Sequence, residues 1–317
     1  MAGVLNMTLA KYEILGKVVE TGNLTKAAEQ LNLTQSAVSR AILSLEQEMG
    51  IQLLVRGRSG VRLSHDGERL WGYMKEMLHL QKKMMQEADQ IKGLISGTVT
   101  IGTFTSISIH WLPDILHRFQ EKYPLIEIRL LDGHYHDIER WIADGTADFG
   151  FVNMPSSHGL ETAMLIRDQM MCVLPAGHEH AMKSEISLQD IADEPFIMPA
   201  KGCDTDVRAW FDGQRAVPRT RFELEDDHAI MAMVRSGLGV SILPETILAS
   251  AHAGLAARPL APKASRSIAL AAVSFKKCSP AAAKAIACIM EMMGTHQRLS
   301  YKSKNPCAVM QAKQVNE

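Results

Sequence analysis

Between Ser64 and Lys92 the chain carries no proline, and Leu70, Met74, Met77, Gln81, Met84, Ala88 and Ile91 follow one another at intervals of 4-3-4-3-4-3. Residues at that spacing line one stripe of a single long helix. Such a stripe needs cover. The block before it is too short to cover its whole length, so a second copy of the chain is the expected partner; packing on its own domain is the alternative. Gln81 is the one polar member, and the methionines pack adaptably while fixing register weakly.

This helix separates two textures. A length of 317 residues fits two or three domains. With 46% hydrophobic and 22% charged residues the chain can build cores, which excludes global disorder. No run approaches the ~20 apolar residues of a membrane span. The opening MAGVLNMTLAKYE lacks the basic run, apolar core and cleavage site of a secretory signal. Cys172, Cys203, Cys278, Cys288 and Cys307 are scattered without a CxxC pair, which argues against a disulfide framework or a zinc cage. A cytoplasmic protein without a cofactor is expected.

Before the long helix, Leu9, Tyr12, Leu15 and Val19 share one helical face, Gly22 stops that helix, and Asn23 caps a second through Ala27, Ala28 and Leu31. Asn32-Leu33-Thr34 makes a turn, and Thr34 caps a third helix whose inner face holds Val38, Ile42 and Leu45 and which ends at Gly50. The small Ala27 and Ala28 let the helices approach, and Leu31 and Val38 fill the angle between them. The third helix opens with Gln35, Ser36, Ser39 and Arg40 on its outer face. A helix start offers free N–H groups and the positive end of the helix dipole, which suit phosphate. Gln35 has the edge that adenine accepts bidentately, and Ser36 and Ser39 suit base edges or backbone.

The segment QLLVRGRSGVRL (52–63) holds Arg56, Arg58 and Arg62 and no acid, and reads as two extended arms around Gly57 and Gly60. The whole chain has a net charge of −1, but residues 1–62 carry seven basic against five acidic residues. A local basic strip can serve as an electrostatic footprint for nucleic acid; a solvated turn is the plainer reading.

Past a hinge at Gly93–Gly97, strands at 98–102, 126–131, 148–152, 170–174, 195–198, 220–224, 239–243 and 267–273 alternate with helices at 109–121, 136–144, 204–212, 227–236 and 280–293. That alternation predicts a mostly parallel sheet with crossover helices. From Ser300 the chain is polar and unpatterned.

The run Leu24…Ala27-Ala28…Leu31…Thr34-Gln35-Ser36-Ala37-Val38-Ser39…Ile42…Leu45-Glu46…Gly50…Leu53-Leu54…Arg56…Leu63-Ser64…Gly67 resembles the LysR-type transcriptional regulators. So do Trp111-Leu112-Pro113…Phe119…Tyr123-Pro124, Gly145-Thr146-Ala147-Asp148 and Gly237-Leu238-Gly239-Val240-Ser241-Ile242-Leu243-Pro244, and the likeness covers about residues 8–295. Leu54 departs mildly, since the family usually has an aromatic there, and Ser36 stands where Pro is commoner.

The resemblance implies an α+β multidomain protein. A winged helix-turn-helix spans 1–64 and a dimerising linker helix 65–96. A two-lobed effector domain like a periplasmic binding protein spans 97–299, with lobe I at about 97–174 and 275–299 and lobe II at about 175–274; the polar, unpatterned 300–317 lies outside the likeness and reads as a mobile tail. It implies promoter DNA, a small-molecule effector and a homodimer (a dimer of dimers) as partners, with RNA polymerase a further candidate. Carried over by position, Thr34, Gln35, Ser36, Ser39 and Arg40 are the helix contacts to DNA, and Arg56, Arg58 and Arg62 are wing candidates.

In such a domain ligands lie at the carboxyl ends of strands. Thr103, Phe104, Thr105 and Ser106 stand at the first such end, before a helix, and their hydroxyls suggest a seat for an anionic metabolite. Pro199, Gly202, Cys203 and Thr205 form the second lobe's contribution. Lys201 and a helix start beside Cys203 would lower its thiol pKa, but no resolving cysteine follows, so an inert or ligand-lining thiol is expected. His134-Tyr135-His136 and His178-Glu179-His180 lack acidic or thiol neighbours at metal-ligand spacing and read as solvated histidines. Asp226-Asp227-His228 reads as capping. Neither a nucleophile elbow nor a phosphate-binding loop is present, so no catalysis is expected. A solute-binding protein and an enzyme with a fused helical domain are the rival readings.

Overall fold

The computed structural model describes residues 2–57, 60–248 and 254–304, with side chains from Leu9 to Gly294. The chain forms two compact units: the first runs to Leu94 and includes Asp144–Thr146, and the second takes the rest from Ile95.

The first unit contains α1 (Ala2–Thr21), α2 (Leu24–Gln30), α3 (Gln35–Met49), the hairpin β1 (Leu54–Gly57) and β2 (Gly60–Leu63), and α4 (His65–Ile91). Gly22 turns the chain at φ +61°, and the Asn23 side chain caps α2 by accepting from the Thr25 and Lys26 N–H groups at 2.8 and 3.1 Å. Thr34 caps α3 by accepting from Ala37 N. Tyr12, Leu15, Val18, Ala27, Ala28, Val38, Ile42 and Leu45 form the core. Leu54 is buried in it. Glu46 fastens the hairpin to α3, its Oε1 accepting from Leu53 N at 2.7 Å and Leu54 N at 3.0 Å. Ser64 caps α4 and donates to the Gln52 carbonyl at 2.6 Å. At Gly67 a Cβ would overlap the Leu53 carbonyl oxygen, so only glycine fits this crossing.

The long helix is present, but its stripe is not the uniform seam expected. Met74 is only 2% exposed and packs in the unit's own core, together with Leu70, Trp71 and Leu78. The exposed apolar residues on α4 are Tyr73, Met77, Leu80, Met84, Met85 and Ile91. The stripe left uncovered is thus Tyr73-Met77-Leu80-Met84-Ile91, turned slightly from the expected line because its first turns close the N-terminal core.

The second unit opens with β3 (Gly97–Thr103), α5 (Thr105–His110), α6 (Leu112–Lys122), β4 (Ile126–Asp132), α7 (Tyr135–Ala143), β5 (Phe149–Asn153) and β6 (Glu161–Pro175). It continues with β7 (Ile186–Ser187), α8 (Leu188–Ile191), β8 (Phe196–Pro199), α9 (Thr205–Gly213), β9 (Thr220–Leu224), α10 (Asp227–Arg235), β10 (Ser241–Pro244) and α11 (Glu245–Leu248). It closes with β11 (Leu255–Ala261), β12 (Ser265–Ala272) and α12 (Pro280–Lys304).

The main sheet has the order β4-β3-β5-β12-β6-β11-β7, with β10 also on β6, and β8 and β9 pair separately. It is mixed rather than mostly parallel. β3 runs parallel to β4 and β5, as helix crossovers require. β12, by contrast, lies antiparallel to β5 and β6, and β6 antiparallel to β10 and β11.

The cause is the 15-residue β6. Its first part pairs with β12, and from Met170 it pairs with β10 and β11, so one strand serves both lobes. Lobe I is built on Val99, Ile101, Phe149, Phe151, Leu165 and Ile268, with α12 against them. Lobe II has its core on Met170, Cys172, Phe196, Trp210 and Ile242 and a second cluster around Ile197, Ile230 and Val234. The packing therefore changes lobe near Ile166–Met170 and Leu260–Ile268, ahead of the 174/175 and 274/275 boundaries read from the sequence. α12 continues to Lys304, into what reads as tail; residues 305–317 lie outside the described residues. No helix among the described residues is long and apolar enough to cross a membrane.

Candidate functional site

Two surfaces carry polar chemistry. In the first unit, Thr34, Gln35, Ser36 and Arg40 are exposed at the start of α3, while Ser39 is half-buried. The Thr34 and Ser36 hydroxyls lie 3.0 Å apart, and Arg40 Nε donates to the Ser36 carbonyl at 3.3 Å. The helix end is thus a polar edge standing on an apolar core. Arg56 and Arg62 are exposed on the hairpin, but Arg56 stands opposite Val61 and Arg62 opposite Val55. Adjacent register positions alternate in facing, so the two guanidinium groups leave opposite faces of the ribbon. Arg58 lies outside the described residues.

In the second unit, a cavity of about 240 Å³ opens between the lobes. Phe104, Thr105, Ser106, Pro199 and Cys203 line it, as expected from the sequence. Thr103 does not: it is buried beneath, its hydroxyl 3.1 Å from that of Ser108. Gly202 and Thr205 face an outer groove with Lys201 and Arg208 instead. Gly202 has φ +104° and passes against the His134 ring, a backbone conformation that favours glycine.

The centre of the cavity is Arg266, which sequence reading missed. Its guanidinium is buried, with Nε and Nη2 donating to Asp168 Oδ2 at 2.9 and 2.7 Å. Nη2 also donates to Ser106 Oγ at 2.8 Å and Nη1 to the Tyr135 hydroxyl at 3.0 Å, and the group lies 5.6 Å from the Phe104 ring centre. Ser106 therefore does not cap α5; it serves Arg266. Burial pushes the Tyr135 phenol up to about 12 even beside that cation.

Three acidic positions on lobe II were also unforeseen. Asp206 accepts from Asn153 Nδ2 at 2.8 Å, and burial raises its pKa. Asp227 follows the true cap of α10, Asp226, and lines the cavity; burial pushes it up to about 6 against the pull of Arg266. Glu225 stands at the rim, and Asp132 faces them from lobe I. Cys203 departs from expectation in sign: burial first, and then Asp227, push its thiol up to about 11, with Lys201 exposed to solvent. Its Sγ lies 3.4 Å from His134 Nδ1. Among the described residues no group of His, Cys, Asp and Glu has an arrangement suited to a metal ion.

A helix-turn-helix with a hairpin wing, continued by a long helix into a unit whose two lobes enclose a small-molecule cavity, is the build of a ligand-responsive DNA-binding regulator. The family model of the bacterial regulatory helix-turn-helix protein, lysR family, matches residues 9–68, and that of the LysR substrate binding domain matches 92–294. The chain belongs to the LysR family of DNA-binding transcriptional regulators. It is 32% identical over 291 residues to an uncharacterized HTH-type transcriptional regulator, YvbU, of Bacillus subtilis, covering 91% of this chain and 99% of that protein. It is 34% identical to LrrA of Synechococcus elongatus, a probable HTH-type transcriptional regulator, over 81% of this chain and 84% of the relative. Among solved structures a full-length OxyR variant from Pseudomonas aeruginosa shares the fold, with a TM-score of 0.72 at 22% identity, over 90% of this chain and 94% of that one.

Proposed function

We propose that this chain is a cytoplasmic regulator that reads a promoter with α3 and the β1–β2 wing and is switched by a small molecule held between the lobes of its second unit. The observation that carries the reading is the combination, in one chain, of a polar α3 edge open to solvent and a cavity ringed by ionisable groups. Gln35 and Ser36 read base edges, Ser39 and Arg40 the adjoining backbone, and Arg56 or Arg62 a phosphate. Thr105 remains the cavity hydroxyl of its loop free for a ligand, and Pro199 and Cys203 form part of the wall. The chain acts by binding rather than by turnover.

Tyr73, Met77, Leu80, Met84 and Ile91 support pairing of two copies along α4. A two-fold dimer matches inverted half-sites, and a dimer of dimers follows the family pattern. Ligand and DNA are then linked through the population of lobe and subunit arrangements that each favours. RNA polymerase is the partner expected when the bound protein activates.

The test is footprinting of the full chain on the DNA flanking its own gene, with and without Gln35→Ala. A discrete footprint that loses sequence selectivity in the variant supports the reading. A footprint indifferent to Gln35→Ala removes its base-reading role, and no footprint at all, with turnover of a metabolite instead, would favour an enzyme.

A further inference from the structure

The sequence suggested an anionic effector on the strength of hydroxyls at a helix start. The cavity has the opposite polarity. Its one lining arginine, Arg266, is already engaged: Asp168 takes two of its N–H bonds and offsets much of its charge, and Ser106 and Tyr135 take two more. The helix that Thr105 opens is only six residues long. Among the ionisable groups that remain facing the space, carboxylates predominate. Asp206 and Asp227 stand on lobe II, with Glu225 at the rim and Asp132 on the opposite wall. Asp132 is shared with the Ser108 hydroxyl at 3.2 Å and Asp206 with Asn153, whereas the Asp227 carboxylate has no hydrogen bond or ion pair among the described residues. The wall also carries Thr105, the His134 imidazole and the Cys203 thiol, and its apolar part is formed by Phe104, Met170, Val207, Ile242 and Ile247.

A carboxylate entering this space would meet two or more negative groups and a cation that is already paired. An ammonium or amidinium would meet an unpaired carboxylate, recover the Coulomb energy that burial withholds from it, and bring its own carbon skeleton against the apolar wall. We propose that the effector is a small organic cation, a primary amine or amidine, whose charged head sits between Asp227 and Asp206 and whose body lies against Phe104, Met170 and Ile242. The site itself is the inter-lobe cavity of the proposed function, on which this inference rests; the new element is the charge and size of its occupant. At about 240 Å³ the space is below the usual range of drug-sized pockets, roughly 300–1,000 Å³, so the ligand is correspondingly small.

The experiment compares matched probes on the full-length chain: butylamine, 1,4-diaminobutane and benzylamine against butyrate, butanedioate and benzoate, read by thermal shift and calorimetric titration. The expected result is stabilisation by at least one amine and by none of the carboxylates. Asp227→Asn should weaken the amine by about tenfold or more, Asp206→Asn should weaken it less, and the exposed Asp114→Asn should leave it unchanged. Stabilisation by carboxylates alone would overturn the cationic assignment while leaving a ligand-responsive regulator in place. Silence from all six probes, or an amine effect indifferent to both cavity variants, overturns it as well. Footprinting in parallel separates these outcomes from failure of the parent reading, because DNA binding does not depend on the sign of the effector.

Discussion

Arg266 and Asp168 are direct cross-strand partners in the antiparallel register of β12 and β6, at the level where both strands pass from one lobe to the other. Both are buried, and the pair also recruits Ser106, Tyr135 and, through Asp168 Oδ1, the Thr246 N–H at 3.1 Å. A buried ion pair contributes little over apolar residues of the same shape, but breaking it strands a charge. Arg266→Met alone should therefore destabilise the second unit by about 3–5 kcal/mol. Adding Asp168→Asn should recover part of that loss, because an amide at 168 is uncharged and still accepts from Thr246. Urea unfolding followed by tryptophan fluorescence in a Trp71→Phe background reports this, since Trp111, Trp141 and Trp210 all lie in the second unit.

The cavity acid sets a pH dependence with a definite sign. Asp227 is pushed from an ordinary 3.8 to about 6, mainly by burial, so the folded protein holds a proton there that the unfolded chain releases near pH 4. Stability from this group is complete below pH 4 and is lost as pH rises through about 6. Asp206, also raised, acts in the same sense. The groups around Asp227 are Arg266, Asp226, His228, Cys203 and Asp206, of which Arg266 and then His228 oppose the shift and Asp226 adds to it. Asp227→Asn should thus flatten the decline in melting temperature between pH 4 and 7 and match or exceed the parent at pH 7.5. A bound cation should bind more tightly as pH rises through 6; an anion would show the reverse, which calorimetry at pH 5 and 7.5 distinguishes.

The first unit was legible because its determinants are local. Caps, turn and apolar face of α2 and α3 all fall within 30 residues, and each residue's role follows from helix periodicity. The second unit was legible as elements but not as a site. Arg266 lies 98 residues from Asp168 and 160 from Ser106, and nothing in the run SRSIALAA marks its arginine as the centre of a cavity. Arg167 and Asp168 interrupt the apolar run of β6, so only its second half reads as a strand. β11 hides behind Gly254, Pro259 and Pro262, which read as breakers although Pro259 is accommodated in the sheet. Asp226 and Asp227 both read as capping from sequence, and only Asp226 caps; which of two adjacent acids faces a cavity depends on where α10 docks.

On the DNA-reading surface, two kinds of contact should separate by salt. Gln35→Ala should cost about 1–3 kcal/mol at the cognate site and relax specificity at one position, with the salt slope unchanged. Removing a wing arginine that touches phosphate should weaken all sequences alike and reduce the slope by about one. Because Arg56 and Arg62 leave opposite faces of the ribbon, only one of them is expected to show this change. Titrations of Arg56→Ala and Arg62→Ala across salt concentrations, on specific and unrelated duplexes, decide which.

On α4, two neighbouring substitutions should act on different properties. Met74 is buried in the N-terminal core, so Met74→Ala should lower the stability of the first unit by about 2–5 kcal/mol. Leu80 is 65% exposed on the uncovered stripe. Leu80→Glu should leave that stability nearly unchanged and shift the mass measured by light scattering towards the monomer. A Leu80→Glu protein that retains its oligomeric mass would place the pairing surface elsewhere.

Cys203 provides the last test, since its environment argues against a thiol poised for oxidation. Burial and the Asp227 carboxylate raise it from an ordinary 9.0 to about 11, with Arg266 opposing them. At a given pH this lowers the thiolate fraction about a hundredfold relative to an unperturbed thiol, and the thiolate is the reactive form. The higher intrinsic nucleophilicity of a more basic thiolate offsets part of that, leaving a slowing of about tenfold. Alkylation by iodoacetamide at pH 7.5, followed peptide by peptide in the mass spectrometer, should therefore run slower at Cys203 than in free glutathione. Asp227→Asn should accelerate it by removing a nearby negative charge. Alkylation of the parent faster than glutathione would mean that the thiol is activated in solution and would overturn this account of its surroundings.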